Sequence, residues 1–152
     1  MKKIIKTNFY SENEVPFLLL NLKECYGHVD KFIAYEFNYT KSGLKKSFVD
    51  LNNYWNLFEE YSDKFEYHMI DLDNDDNFIK DDSGLSNDIQ KTINEPYSRN
   101  YFSKLSSLDD SDYIFSVDAD EIIYGNSYSK LIEQVDDLDS SVRIRMHFFW
   151  NG

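Results

Sequence analysis

The chain has 152 residues and a single cysteine, Cys25. That excludes an intramolecular disulfide and a cysteine-built zinc cluster. Cys25 sits in an apolar helical pattern, where a lone thiol behaves as a small core hydrophobe. Glycine is scarce, with five in all. Gly27 and Gly43 stand isolated, so there is neither a dinucleotide-binding fingerprint nor a P-loop. Positive charge is short: 16 Lys and Arg face 28 Asp and Glu, giving a formal net charge of −12. A nucleic-acid surface or an anionic membrane needs clustered Lys and Arg, and the balance argues against both as partners. It does not exclude a nucleotide ligand, because a bound divalent metal supplies positive charge locally. No apolar run is long enough for a membrane span, and Met1-Lys2-Lys3-Ile4-Ile5-Lys6 is not followed by the apolar region of a signal peptide. The expected location is cytoplasmic. No internal repeat and no linker is visible.

Apolar residues make up 41% of the chain, and aromatics are heavy: twelve Tyr, twelve Phe and two Trp. The composition is globular and the length fits one domain with a real core. Lys3 to Phe9 reads as a strand. Ser11 or Asn13 can cap the helix that follows, with Glu14 in its first turn. Val15 to Tyr26 is helical, with Phe17, Leu18, Leu20, Leu22 and Cys25 on one broad face, Pro16 in the first turn and Gly27 closing it. Val29 to Phe37 is a second strand, with Glu36 at its carboxyl end. Asn38 to Lys46 is a loop that turns at Ser42-Gly43. Asp50 to Tyr61 is expected to be a helix, and Phe65 to Leu72 a third strand.

Asp71 to Asp88 is long, irregular and rich in Asp and Asn. Asp71, Asp73 and Asp75 mimic the start of an EF-hand. Asp76 stands where that loop needs Gly, and Asp82 where it needs Glu. A solvated loop over the ligand edge is the better reading. A helical pattern starts near Asp88, and Pro96 is expected to interrupt it or to open a new helix. Tyr97, Tyr101, Phe102, Leu105 and Leu108 then form an apolar stripe. Glu95 and Arg99 are four apart; this spacing alone fits an ordinary surface pair. The other reading is that Arg99 points into a site. Asn126 to Leu138 reads as a helix and Val142 to Trp150 as a fifth strand. His147 is read as a strand-face residue rather than a metal ligand. Asn151-Gly152 is a hairpin signal with no partner strand after it, so the chain reads as a single domain truncated at its C-terminus. An unpaired last strand would expose an edge to a second copy, a possible homodimer.

The chemistry concentrates in Tyr113-Ile114-Phe115-Ser116-Val117-Asp118-Ala119-Asp120-Glu121-Ile122-Ile123. An apolar run of this kind is a buried strand, and its acidic end falls where open α/β sheets bind ligands. If the extended geometry persists, Asp118 and Asp120 leave the same face. Two adjacent carboxylates repel unless a proton or a metal lies between them, and oxygen-only ligands suit Mg²⁺ or Mn²⁺. Against this, Asp-rich turns after strands are common. The element order β-α-β-α-β-loop-α-β-α-β implies an α/β fold, a mostly parallel sheet flanked by helices. A nucleotide site without glycines that ends in Asp-x-Asp points to the GT-A-like architecture of nucleotide-sugar transferases.

Four segments, in order from about residue 8 to residue 122, carry a specific resemblance. They are Phe9-Tyr10-Ser11-Glu12-Asn13-Glu14 with Leu18-Leu19-Leu20-Asn21-Leu22; Val29-Asp30-Lys31-Phe32-Ile33-Ala34-Tyr35-Glu36 with Thr40, Gly43 and Lys45 or Lys46; Glu95 with Arg99; and Val117-Asp118-Ala119-Asp120-Glu121-Ile122. Together they resemble glycosyltransferase family 17, whose best-known members add the bisecting N-acetylglucosamine to N-glycans. Ile123 stands where many relatives have Pro. The resemblance implies inverting transfer from a nucleotide sugar, UDP-N-acetylglucosamine, to a glycan acceptor. It implies a cation, Mn²⁺ or Mg²⁺, on Asp120 with Asp118, and Arg99 as a second positive contact. Glu36 or Asn38 would accept hydrogen bonds from uracil or ribose. Glu121 is the nearest carboxylate to serve as base. Two other classes stay open: a haloacid-dehalogenase-type phosphatase, whose acidic motif normally follows the first strand, and a non-catalytic nucleotide-sugar-binding fragment.

Overall fold

Ile4 and Ile5 open a strand that is buried on both sides, and this strand organises the sheet. In the computed structural model, which describes residues 2–105, 109 and 112–138, it is β1 (Lys3–Phe9). It pairs in parallel with β2 (Lys31–Phe37) on one side and β4 (Tyr113–Asp118) on the other. β3 (Phe65–Ile70) adds to the far side of β2, giving the all-parallel order β3-β2-β1-β4. The expected α/β sheet is present.

Strand periodicity sorts the side chains onto two faces. Ile5, Phe9, Phe32, Ala34 and Val117 join one core with Leu18, Leu22, Cys25, Leu51, Phe58 and Tyr128. Ile4, Ile33, Tyr35 and Phe37 join the other with Tyr39, Leu72 and Phe78. The first face is covered by α1 (Val15–Cys25), the segment 51–61 and α4 (Tyr128–Leu138); the second by α3 (Asn87–Asn100). Phe58 stacks on Phe65 with ring centroids 5.0 Å apart. Such a pair adds about 0.5–1.5 kcal/mol beyond the area it buries.

α1 begins at Val15 as expected, but the chain enters it through a 3₁₀ turn, Glu12–Glu14, that follows Ser11, so Glu14 lies just ahead of the helix rather than in its first turn. Glu14 Oε2 accepts the backbone N–H of Tyr10 at 2.7 Å and of Ser11 at 2.8 Å, and Pro16 lies in the first turn. The segment 50–61 differs from its expected single helix. It is a 3₁₀ turn at Leu51–Tyr54, one turn of α2 (Trp55–Phe58) and another 3₁₀ turn at Glu59–Tyr61. Its Asn, Tyr and Trp residues are mediocre helix formers, and buried Leu51, Phe58 and Tyr61 fix it by tertiary contact instead. Pro96 also differs: α3 runs through it without a break. Pro96 and Thr92, whose carbonyl loses its helical donor, are both exposed residues. The expected fifth strand, with His147, lies outside the described residues.

α3 is unusual in what it buries. Gln90, Asn94 and Ser98, four apart, face inward, while Ile89 and Ile93 are exposed. Asn94 Oδ1 accepts the N–H of Ile79 at 2.9 Å, and its Nδ2 donates to the carbonyls of Ile79 (2.8 Å) and Lys41 (3.1 Å). Gln90 Nε2 donates to the Lys80 carbonyl at 3.3 Å and to Ser83 Oγ at 3.1 Å. The polar face thus serves as a clamp for two loops, satisfying backbone groups that would otherwise be buried unpaired.

Candidate active site at the carboxyl edge of the sheet

The even positions of β1 and β4 face α3, so Lys6, Asn8 and Asp118 lie on its side; Asn8 and Asp118 are paired in the parallel register. Asp118 is the last residue of β4. Across from it, near the carboxyl end of α3, Arg99 Nη2 lies 3.1 Å from Asp118 Oδ2 and 3.1 Å from Glu95 Oε1. The helical spacing of Glu95 and Arg99 therefore does both things that the sequence left open. It makes an i,i+4 pair, and it aims the guanidinium at the strand end.

The end of α3 is anchored from below. Tyr35 Oη donates to the Ser98 carbonyl at 2.8 Å. The Lys6 ammonium donates to the Arg99 carbonyl, and lies 5.0 Å from the centre of the Phe102 ring. Lys6 is 3% exposed. Burial, with the Arg99 charge nearby, pushes its pKa down to about 8. At the end of β1, Asn8 Nδ2 donates to Tyr10 Oη at 2.7 Å. Burial pushes the Tyr10 phenol up to about 12, so it stays protonated at neutral pH. Burial likewise raises the Tyr35 phenol.

The acidic motif itself is a turn. The strand stops at Asp118, the Glu121 N–H donates to the Asp118 carbonyl at 3.0 Å, and Glu121 Oε2 accepts the Asp118 N–H at 2.8 Å. Extended geometry does not reach Asp120, so the expected same-face alternation ends at Asp118. Ala119 is fully buried and holds the turn down. Asn21 of α1 steadies it from the other side, donating from Nδ2 to the Glu121 carbonyl at 3.0 Å. Asp120 is exposed, and its carboxylate makes no hydrogen bond or ion pair among the described residues.

Glu36 and Asn38 are committed elsewhere. Glu36 is fully buried on the opposite face of the sheet. Its carboxylate accepts the N–H groups of Val49 (2.7 Å) and Asp50 (2.9 Å) and the Tyr67 hydroxyl, with Lys46 Nζ at 3.6 Å. Asn38 donates to Asp71 Oδ1 (2.7 Å) and Asp73 Oδ1 (3.1 Å), and its Oδ1 accepts the Leu72 N–H at 2.9 Å. Both residues fasten loops at the carboxyl edge. Three carboxylates of the Asp-rich loop, those of Asp71, Asp73 and Asp75, are also engaged. Asp73 binds Lys45 Nζ at 2.6 Å, and Asp75 accepts the Tyr97 hydroxyl. Among the described residues no group of three or more His, Cys, Asp or Glu is placed to hold a metal ion.

Of the residues that the sequence singles out, Arg99, Asp118, Asp120 and Glu121 come together at this edge; Lys6, Tyr10, Asn21 and Asn94, which support it, are not singled out by the sequence. Lys6 was legible in principle, as a charge in the middle of a buried strand. The others depend on contacts between distant segments.

Open parallel α/β sheets bind ligands outside the carboxyl ends of their strands, and that is where the acidic turn and Arg99 meet. The chain belongs to glycosyltransferase family 17: the family model matches residues 1–151, nearly the whole chain. It is accordingly a glycosyltransferase, acting between a sugar donor and an acceptor. No curated protein and no solved structure gives a significant match. No helix among the described residues is long and apolar enough to cross a membrane.

Proposed function

We propose that this chain transfers N-acetylglucosamine from UDP-N-acetylglucosamine to a glycan acceptor, with inversion, in a GT-A-type site at the carboxyl edge of the sheet. The observation that carries this reading is Asp118, clasped by Arg99 at 3.1 Å, next to the exposed Asp120, whose carboxylate has no partner among the described residues. Two carboxylates offer hard oxygen donors only, which fits Mn²⁺ or Mg²⁺ and leaves positions open for phosphate oxygens. Asp120 and Asp118 would hold that ion, which supplies Lewis-acid stabilisation of charge on the leaving diphosphate.

The chain's own residues divide the remaining work. Arg99 presents a fixed fork to a phosphate, where its geometry serves better than lysine. Lys6 and Tyr35 hold the backbone that carries Arg99. Glu121 holds the acidic turn through the Asp118 N–H, and in this reading its task is positioning. Glu36 and Asn38 shape the donor pocket by fixing the loops that border it.

The test is UDP binding by calorimetry with Mn²⁺ present. Asp120→Asn is expected to weaken binding by a factor of ten or more, about 1.4 kcal/mol or above, and to abolish its dependence on Mn²⁺. Unchanged UDP affinity in a folded Asp120→Asn protein would sink the assignment.

A further inference from the structure

Lys41 lies in the tight turn that follows β2, closed by the Thr40 N–H to the Leu44 carbonyl at 2.8 Å and the Gly43 N–H to the Thr40 carbonyl at 2.9 Å. The turn is held hard against its neighbours. Gly43 has φ +82°, and a Cβ there would lie 2.6 Å from the Ile79 carbonyl oxygen, so only glycine fits. Asn94, fully buried, donates to the Lys41 carbonyl at 3.1 Å. The backbone of Lys41 is therefore fixed to α3, the helix that carries Arg99.

From this fixed base the side chain reaches over the site. The ammonium lies 5.4 Å from the centre of the Tyr10 ring and 3.8 Å from Glu95 Oε1, the oxygen that also accepts from Arg99. That long contact is its one ion pair among the described residues, and it makes no hydrogen bond there. Neighbouring lysines differ. Lys45 is bound to Asp73, Lys46 donates to the Ser47 carbonyl at 3.2 Å, and Lys6 is bound to the Arg99 carbonyl. An ammonium has three donors, and among the described residues those of Lys41 make no hydrogen bond, only the 3.8 Å contact with Glu95.

Charge decides what they are for. Glu95, Asp118, Asp120 and Glu121 put four carboxylates near this edge. Arg99 is already shared between two of them. A nucleoside diphosphate brought to such an edge needs more positive charge than a divalent ion and a shared arginine supply.

We propose that Lys41 is a second cationic contact to the donor's β-phosphate, its ammonium moving from Glu95 to the phosphate oxygens on binding. This rests on the UDP-sugar reading above. The shift is small for a four-carbon stem on a fixed backbone, and it exchanges a loose, half-exposed ion pair for charge-assisted hydrogen bonds.

Calorimetry with Mn²⁺, comparing UDP with UMP, tests this in the wild type, Lys41→Met and Lys41→Arg. UMP lacks the β-phosphate and serves as the internal control. Lys41→Met is expected to weaken UDP by about tenfold or more and to leave UMP nearly unchanged. Lys41→Arg should recover most of the loss. A wild type that binds UDP with a Lys41→Met variant that binds it equally well overturns the Lys41 assignment alone. So does equal weakening of UDP and UMP, which would mark a structural role. A wild type that binds neither nucleotide removes the donor reading and this inference with it.

Discussion

Arg99 Nη2 stands 3.1 Å from Glu95 on its own helix and 3.1 Å from Asp118 at the end of β4. One guanidinium thus ties the helix to the acidic turn. All three side chains are between about a third and two fifths exposed, so solvent screens the pairs and each contributes less than about 1 kcal/mol to stability. A residue that matters little for folding yet closes the edge of the site should show its effect in binding. Arg99→Met is expected to keep a near-native thermal midpoint and to weaken UDP by about ten- to a hundredfold. Arg99→Lys should recover only part of this, because a single ammonium cannot reproduce the fork. A large stability loss with unchanged UDP affinity would show the pair to be structural.

Glu36 predicts the opposite pattern. It is buried and its carboxylate serves two backbone N–H groups and a hydroxyl. Glu36→Gln turns one acceptor into a donor facing donors. Urea unfolding should show a loss of about 2–4 kcal/mol. A loss under about 0.5 kcal/mol, the scale of a neutral surface change, would contradict the role given to Glu36 in folding the 49–50 segment.

Lys6 gives a prediction in pH. Its folded pKa is about 8 against an ordinary 10.5. Across that window the unfolded chain holds a proton that the folded chain has released, so Lys6 makes stability rise with pH, by about 3 kcal/mol in all. Cys25 works the other way. Burial pushes its thiol up from 9.0 to about 12, so its contribution is lost as pH climbs above 9. Comparing wild type with Lys6→Met cancels the Cys25 contribution. The difference in unfolding free energy between the two should change in favour of wild type from pH 8 to pH 10.5. A difference that stays flat would place Lys6 in contact with water.

Much of the fold could be read from local pattern. Ile4-Ile5 and the Phe32 to Phe37 run are buried on both faces, and such runs make parallel strands. The same logic placed Asp118 at a strand's carboxyl end. It failed where tertiary contact overrides local preference. The segment 51–61 has a helical apolar spacing but weak propensity, and its buried side chains hold it in three short turns. Local pattern predicts an interruption or a new helix at Pro96, because its exposed setting in α3 is a tertiary fact. Asp120 was placed by extending a strand that the Glu121 contact ends at Asp118. Lys6, Asn21 and Asn94 work through partners 93, 100 and 53 residues away, a kind of information no window along the chain contains.

The most direct measurement is thermal unfolding of the wild-type chain with UDP alone, with Mn²⁺ alone, and with both. A ligand that binds only the folded state raises the midpoint by mass action, about 2.7 kcal/mol of stabilisation at a hundred times its Kd. An acidic turn that holds a diphosphate through a cation predicts that the two together raise the midpoint well beyond the sum of their separate shifts. Additive shifts, or none, would contradict it.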